Sequence, residues 1–228
     1  MRPVDKGATP AAAYNDYRDA APDLVARLGQ YCSYCERQIE THLAVEHVQP
    51  KSLVPALRTT WTNFLLGCVN CNSCKGSTAV TLTDCFWPDT ENTIRAFEYT
   101  TAGLVNASSA LGAPEQQKAE ATIHLVGLNR YPGSPAGNPT SADLRWQRRR
   151  EVWALAQKCV SHLATNNSVE VRELIIATAL GRGMFSIWWT AFADDIDMRR
   201  RLRVAFVGTD PSSFDASESP VARPGGQL

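Results

Sequence analysis

A chain of 228 residues is long enough to bury a core and to carry a substantial extension beyond a small module. Lys+Arg 23 balances Asp+Glu 23, so the formal charge is zero, which argues against a protein that coats nucleic acid by charge alone. No apolar run reaches the length of a membrane span, and MRPVDKGATPAAAYNDY lacks the hydrophobic stretch of a secretion signal, so a cytoplasmic protein is expected.

In chain order, the opening up to about Ala13 is Pro/Ala/Gly-rich and expected to be extended. Tyr17, Leu24, Val25 and Leu28 predict a helix between Tyr14 and Gly29, with Pro22 breaking or restarting it and Gly29 as the stop. Residues Tyr31 to Gly76 carry the chemistry. Ile94, Phe97 and Tyr99 with Leu104 and Val105, around Thr101-Ala102-Gly103, predict a hairpin. A helix follows from Pro114 to Leu128 with the proline in its first turn. Tyr131 to Asp143 reads as a Pro/Gly-rich loop.

Beyond it the pattern turns helical, with helices expected at Ala142–Thr165, Ser168–Leu180 and Asp194 to about Val207; Met184–Phe192 between the last two is strongly apolar. The tail from Gly208 to Leu228 is rich in Pro, Ser and Gly and is expected to be disordered. The domain plan is therefore 1–30, an arm and helix; 31–110, the functional module with its hairpin; 111–207, a helical region for partner binding; and 208–228, the tail.

Seven cysteines is an odd count, and Cys32/Cys35 and Cys68/Cys71 form Cys-x-x-Cys pairs, which in a reducing compartment favour a metal over disulfides. Each pair offers two thiolates from one tight turn, and together they make the four soft ligands of a structural Zn²⁺. Such an ion would close the long loop between the pairs and fix the residues inside it. Cys71 and Cys74 form a third Cys-x-x-Cys, so the second pair has an alternative register. Cys85 and Cys159 are isolated, as packing residues are.

Inside the clamp come Glu46, His47, Asn63, Asn72 and Lys75. His47 has a side chain whose ordinary pKa suits deprotonation of a water near neutral pH. Glu46 and the Asn72 carbonyl supply oxygen donors of the kind a hard cation such as Mg²⁺ or Mn²⁺ takes. Taken singly, His47 would be a structural or surface histidine, the asparagines turn or cap residues, and Lys75 a solvated helix residue or a phosphate contact. His42 is expected to be exposed, and His124 and His162 structural.

The segments EHVQP, WTNFLLGC and CVNCNSCK resemble the HNH endonuclease family. That resemblance implies a ββα-metal finger within an α+β, mainly helical chain, bearing a structural four-cysteine zinc site and a helical C-terminal extension. It implies His47 as general base, Glu46 and Asn72 on one catalytic divalent ion, and Asn63 bracing the loop that orients the histidine. YRDAAPDLVARLGQYCSYCER and LAVEHVQPKS are further similar to the HNH subunit of retron-associated and Septu-type anti-phage systems, the PtuB family. This implies a partner ATPase of the ABC/SMC-like (PtuA) type, and with a retron a reverse transcriptase and its msDNA.

Nucleic acid is the expected substrate, with DNA preferred and RNA open; a non-catalytic zinc-finger adaptor is the competing reading. Arg145, Arg148, Arg149 and Arg150 form a basic block in which Arg148 and Arg149, with Lys75, are candidate nucleic-acid contacts; a solvated helix face is the alternative. The block Arg199 to Arg203 has acidic neighbours, which favours local ion pairs. Ile187-Trp188-Trp189 reads as core more readily than interface.

Overall fold

The computed structural model describes residues 1–10 and 13–228; Ala11 and Ala12, part of the expected extended arm, lie outside the described residues. Asp16 and Asp19 close a reciprocal cap around a 3-10 turn, Tyr17–Ala20. Pro22 then occupies the first turn of α1 (Ala21–Leu28), so it restarts the helix instead of breaking it. Gly29 ends α1 at φ 72°, where a side chain would strike the Tyr31 ring.

The central unit is a two-stranded antiparallel ribbon and one short helix. Strand β1 (Ala44–His47) pairs with β2 (Phe64–Gly67) in the register Ala44↔Gly67, Glu46↔Leu65 and His47↔Phe64. Strand β2 is buried along its whole length, as its unbroken apolar run demands. Helix α2 (Val69–Lys75) starts directly after it, with Cys68 as the N-cap whose Sγ accepts the Cys71 N–H. The architecture is α+β and mainly helical, with a small ββα-like core and a long helical extension, as expected.

Helix α3 (Thr93–Ala96) leads into the second hairpin, β3 (Phe97–Tyr99) with β4 (Val105–Ala107), and α4 (Ala113–Leu125) packs over β4. Ala119, Ile123, Val126 and Leu128 belong to the same apolar cluster as α1 and β2. The segment from Ala113 to Leu128 therefore continues the first core. His124 and His162, expected to be structural, are exposed on their helices, because neither lies on the apolar stripe.

A second cluster is built by α5 (Arg145–Thr165), α6 (Val169–Arg182), α7 (Phe185–Ala191) and α8 (Ile196–Ala205). Ser168 and Asp195 cap α6 and α8 through their side chains. Ile187, Trp188 and Trp189 are fully or almost fully buried, so this segment is core. In the Arg199–Arg203 block, Arg201 pairs with Asp197, and Arg200 and Arg203 pair with Glu218. Arg199 lies over the Trp189 ring at 5.0 Å.

The tail departs from expectation. Residues 208–228 are ordered against the rest of the chain despite their composition, because buried polar groups anchor them. Phe214 packs tilted against Trp189, with centroids 4.5 Å apart, and Leu228 is buried in the first core. Asn92 Nδ2 donates to the carbonyls of Ser213 and Val221, each at 2.7 Å, and Glu91 accepts the Gln227 and Leu228 N–H groups. Composition registers a lack of apolar surface; it does not register partners supplied from elsewhere in the chain. Replacing Asn92 by Ala leaves two tail carbonyls short of their donor, and the expected loss is about 2–3 kcal/mol in urea unfolding. Hydrogen exchange should speed up over 211–222 in the same variant.

Candidate active site and metal centre

Cys32 and Cys35 on one turn meet Cys68 and Cys71 at the start of α2, and the four sulfurs lie within 4.8 Å of one another. Cys35 Sγ and Cys68 Sγ are 3.7 Å apart. A tetrahedral ion with Zn–S bonds of about 2.3 Å spaces its sulfurs by about 3.8 Å, so the four residues fit Zn²⁺. Hydrogen bonding with the Cys32 thiol holds Cys68 far below the ordinary thiol range, while the same partner pushes Cys35 up and burial pushes Cys71 up. Four thiolates here thus require a cation. Cys74 stands outside the set and is half-buried, so the register is Cys68/Cys71.

A side chain from the extension reaches this centre. Arg145, at the start of α5, donates from Nη1 to Cys71 Sγ at 3.1 Å and to the Val126 carbonyl at 2.8 Å. Asp143 grips the same guanidinium at 2.8 and 2.7 Å, and Gly127 O accepts from Nη2 at 2.9 Å. A zinc ion bound by four thiolates carries two net negative charges, and Arg145, its own charge matched by Asp143, gives one sulfur a charge-assisted hydrogen bond. The sequence placed Arg145 on a basic face; no local pattern marks it as a sulfur partner, because the two are joined only by folding.

Strand β1 and helix α2 bring Glu46, His47 and Asn72 to a cleft of about 460 Å³, also lined by Tyr17, Arg18, Lys51 and Ser77. His47 Nε2 lies 2.9 Å from the Arg58 carbonyl. A carbonyl only accepts, so Nε2 carries the hydrogen and Nδ1 keeps the lone pair. Burial lowers the His47 pKa, which keeps the ring neutral. Asn63 accepts the Gln49 N–H at 2.8 Å and donates to the carbonyls of Gln49 and Leu57 at 2.9 and 3.3 Å. It thereby ties together both ends of the loop that carries Arg58.

Glu46 is 2 % exposed, and both its oxygens have partners: Lys75 Nζ at 2.8 Å and the Tyr34 hydroxyl at 2.6 Å. A carboxylate offers about four lone-pair sites, so two remain for an ion. One carboxylate already matched by an ammonium, one carboxamide and water make a modest oxygen set, of the sort that suits a hard cation with several retained waters. Gly67 makes the closeness possible: a Cβ there would sit 3.0 Å from Glu46 Cβ and 3.7 Å from Asn72 Cβ. Tyr34 and Gly67 were missed in the sequence, since an aromatic between two cysteines and a strand-end glycine are ordinary.

Of the three expected nucleic-acid contacts, two are buried and one is exposed. Lys75 is buried, with Nζ divided between Glu46 and the His47 carbonyl at 2.6 Å, so no phosphate reaches it. Arg149 is buried as well, and spends Nε on Gly103 O at 2.6 Å and Nη2 on Leu128 O at 2.5 Å. Arg148 is exposed but pairs with Glu151 at 2.6 Å and lines a different cleft, with Arg37 and Arg182. The helical period of α5 sends adjacent arginines to different faces, which dissolves the basic block.

Residues 32–78 match the family model of HNH endonuclease. An HNH endonuclease domain is therefore present, and it classes the chain as a nuclease, a hydrolase. No curated protein matches the chain. No helix among the described residues is long and apolar enough to cross a membrane.

One tightly held zinc per chain is expected by elemental analysis, and Co²⁺ substitution should give the intense bands of a tetrathiolate. Arg145→Met should weaken Co²⁺ binding by about 10–100-fold in competition titrations while the band shape stays tetrathiolate.

Proposed function

We propose that the chain hydrolyses the phosphodiester backbone of nucleic acid, DNA in the first instance, with His47 as general base. The observation that carries this reading is the bond between His47 Nε2 and the Arg58 carbonyl, which reserves Nδ1 for a proton from water. Asn63 acts through the loop it ties, keeping that carbonyl, and so the ring, in place. A site equipped to activate water suits DNA, which has no 2′-hydroxyl to serve as an internal nucleophile. Glu46 and the Asn72 carboxamide would hold the divalent ion. Mg²⁺ or Mn²⁺ there supplies charge neutralisation at the scissile phosphate and the leaving oxygen.

A second reading has one observation in its favour. Lys75 and Tyr34 close over Glu46 as in a structural ion pair, which is what a non-catalytic zinc-finger adaptor would display. Plasmid nicking with Mg²⁺ or Mn²⁺ separates the two. Wild type should nick, and His47→Ala should be slower by about 10²–10⁴-fold; equal cutting by both would remove His47 as the base. RNA of the same sequence, offered in parallel, decides the substrate sugar.

The likeness of the first half to the PtuB subunit supports an assignment to an anti-phage complex with an ABC/SMC-like ATPase, with or without a retron reverse transcriptase and its msDNA. Docking through the helical region is compatible with a groove of about 440 Å³ between α6 and α8, lined by Ile176, Leu180 and Val204. Deleting 142–207 would also remove Arg145 from the metal centre, so point changes are the better probe. Ala177→Glu with Val204→Glu should abolish co-purification with the ATPase and leave zinc content unchanged.

A further inference from the structure

The HNH match begins at residue 32, yet one wall of the cleft is made by residues that precede it: Tyr17, Arg18 and Ala21. The Tyr17 ring meets the His47 imidazole edge-on, with centroids 4.9 Å apart, and Phe64 meets the same imidazole at 5.2 Å. Lys51 Nζ lies 3.7 Å from the Tyr17 ring centroid. Three side chains thus form a row from the candidate base to the mouth of the cleft.

The charges lining that mouth are unequal in their commitments. Arg18 is gripped by Asp16 through two bonds of 2.8 and 2.9 Å. Glu46 is matched by Lys75. Lys51 is exposed and, among the described residues, makes no ion pair or hydrogen bond. A cation resting on an aromatic face at an exposed site is held weakly, so it can turn to an anion at little cost.

We propose, on the hydrolytic reading of the cleft, that Lys51 binds a backbone phosphate of the nucleic-acid strand beside the scissile one. Tyr17 is a positioning residue: it packs the His47 ring and keeps Lys51 at the mouth until substrate arrives. The N-terminal turn is then part of the substrate site, although it lies outside the span of the family match. Lysine suits this place because a phosphate approached from one side needs a point charge on a flexible stem, without the planar fork of arginine.

The test is steady-state cleavage of a labelled duplex by the full chain across a series of KCl concentrations. Lys51→Met should raise KM several-fold with kcat preserved, and should flatten the slope of log KM against log salt by about 0.9, one phosphate contact. Lys51→Arg should restore most of the slope, and Arg148→Met, in the other cleft, should change neither quantity. Tyr17→Ala should lower kcat at least about tenfold through a misplaced imidazole, with Tyr17→Phe close to wild type. An unchanged salt slope in Lys51→Met overturns the proposal. If wild type cuts no substrate, the hydrolytic reading has failed instead, and fluorescence anisotropy of duplex binding over the same salt series still reads the Lys51 contact one way or the other.

Discussion

Four sulfurs packed within 4.8 Å in the interior set the terms for the rest of this molecule. Such a cluster cannot carry its thiolates without a cation at its centre. Arg145 donates to the Cys71 sulfur, and in doing so joins the helical extension to the cysteine cluster. The guanidinium has no slack, because Asp143 and two backbone carbonyls fix it from the other sides. The metal centre is thus the place where the two apolar clusters of the chain are electrostatically sewn together.

From that anchor the geometry of the candidate site follows by short steps. Cys68 lies between β2 and α2 as the N-cap of the helix, so a metal on it would fix both the strand that pairs with β1 and the helix that bears Asn72. Glu46 and His47 are adjacent on β1 but have different tasks. Both line the cleft, but Glu46 is held by Lys75 and Tyr34, whereas His47 spends one nitrogen on a carbonyl. Lys75 links the two, because its ammonium also donates to the His47 carbonyl. A buried ion pair of this kind is costly to break, which makes it a good fixture for the strand.

The chain was readable wherever the chemistry is local. Cys-x-x-Cys turns, EHVQP and the capped helices announce themselves because spacing along the backbone already fixes their geometry. The hairpin, α4 and three helices of the extension, α5, α6 and α8, also lie close to their expected limits. The misreadings share one cause. Lys75 and Arg149 read as contacts by charge, and the tail as disordered by composition, but whether a charge meets solvent or a carbonyl depends on what the fold sets opposite it.

The sequence by itself determined the four-cysteine cluster and the mainly helical extension. It could do so because metal ligation and helix periodicity are matters of residue type at short range. Only the tertiary structure decided that Arg145 belongs to the zinc, that Lys75 belongs to Glu46, that Tyr17 walls the cleft, and that residues 208–228 are ordered. Each of these pairs groups distant in the chain, and no local pattern encodes which buried charge will find which partner.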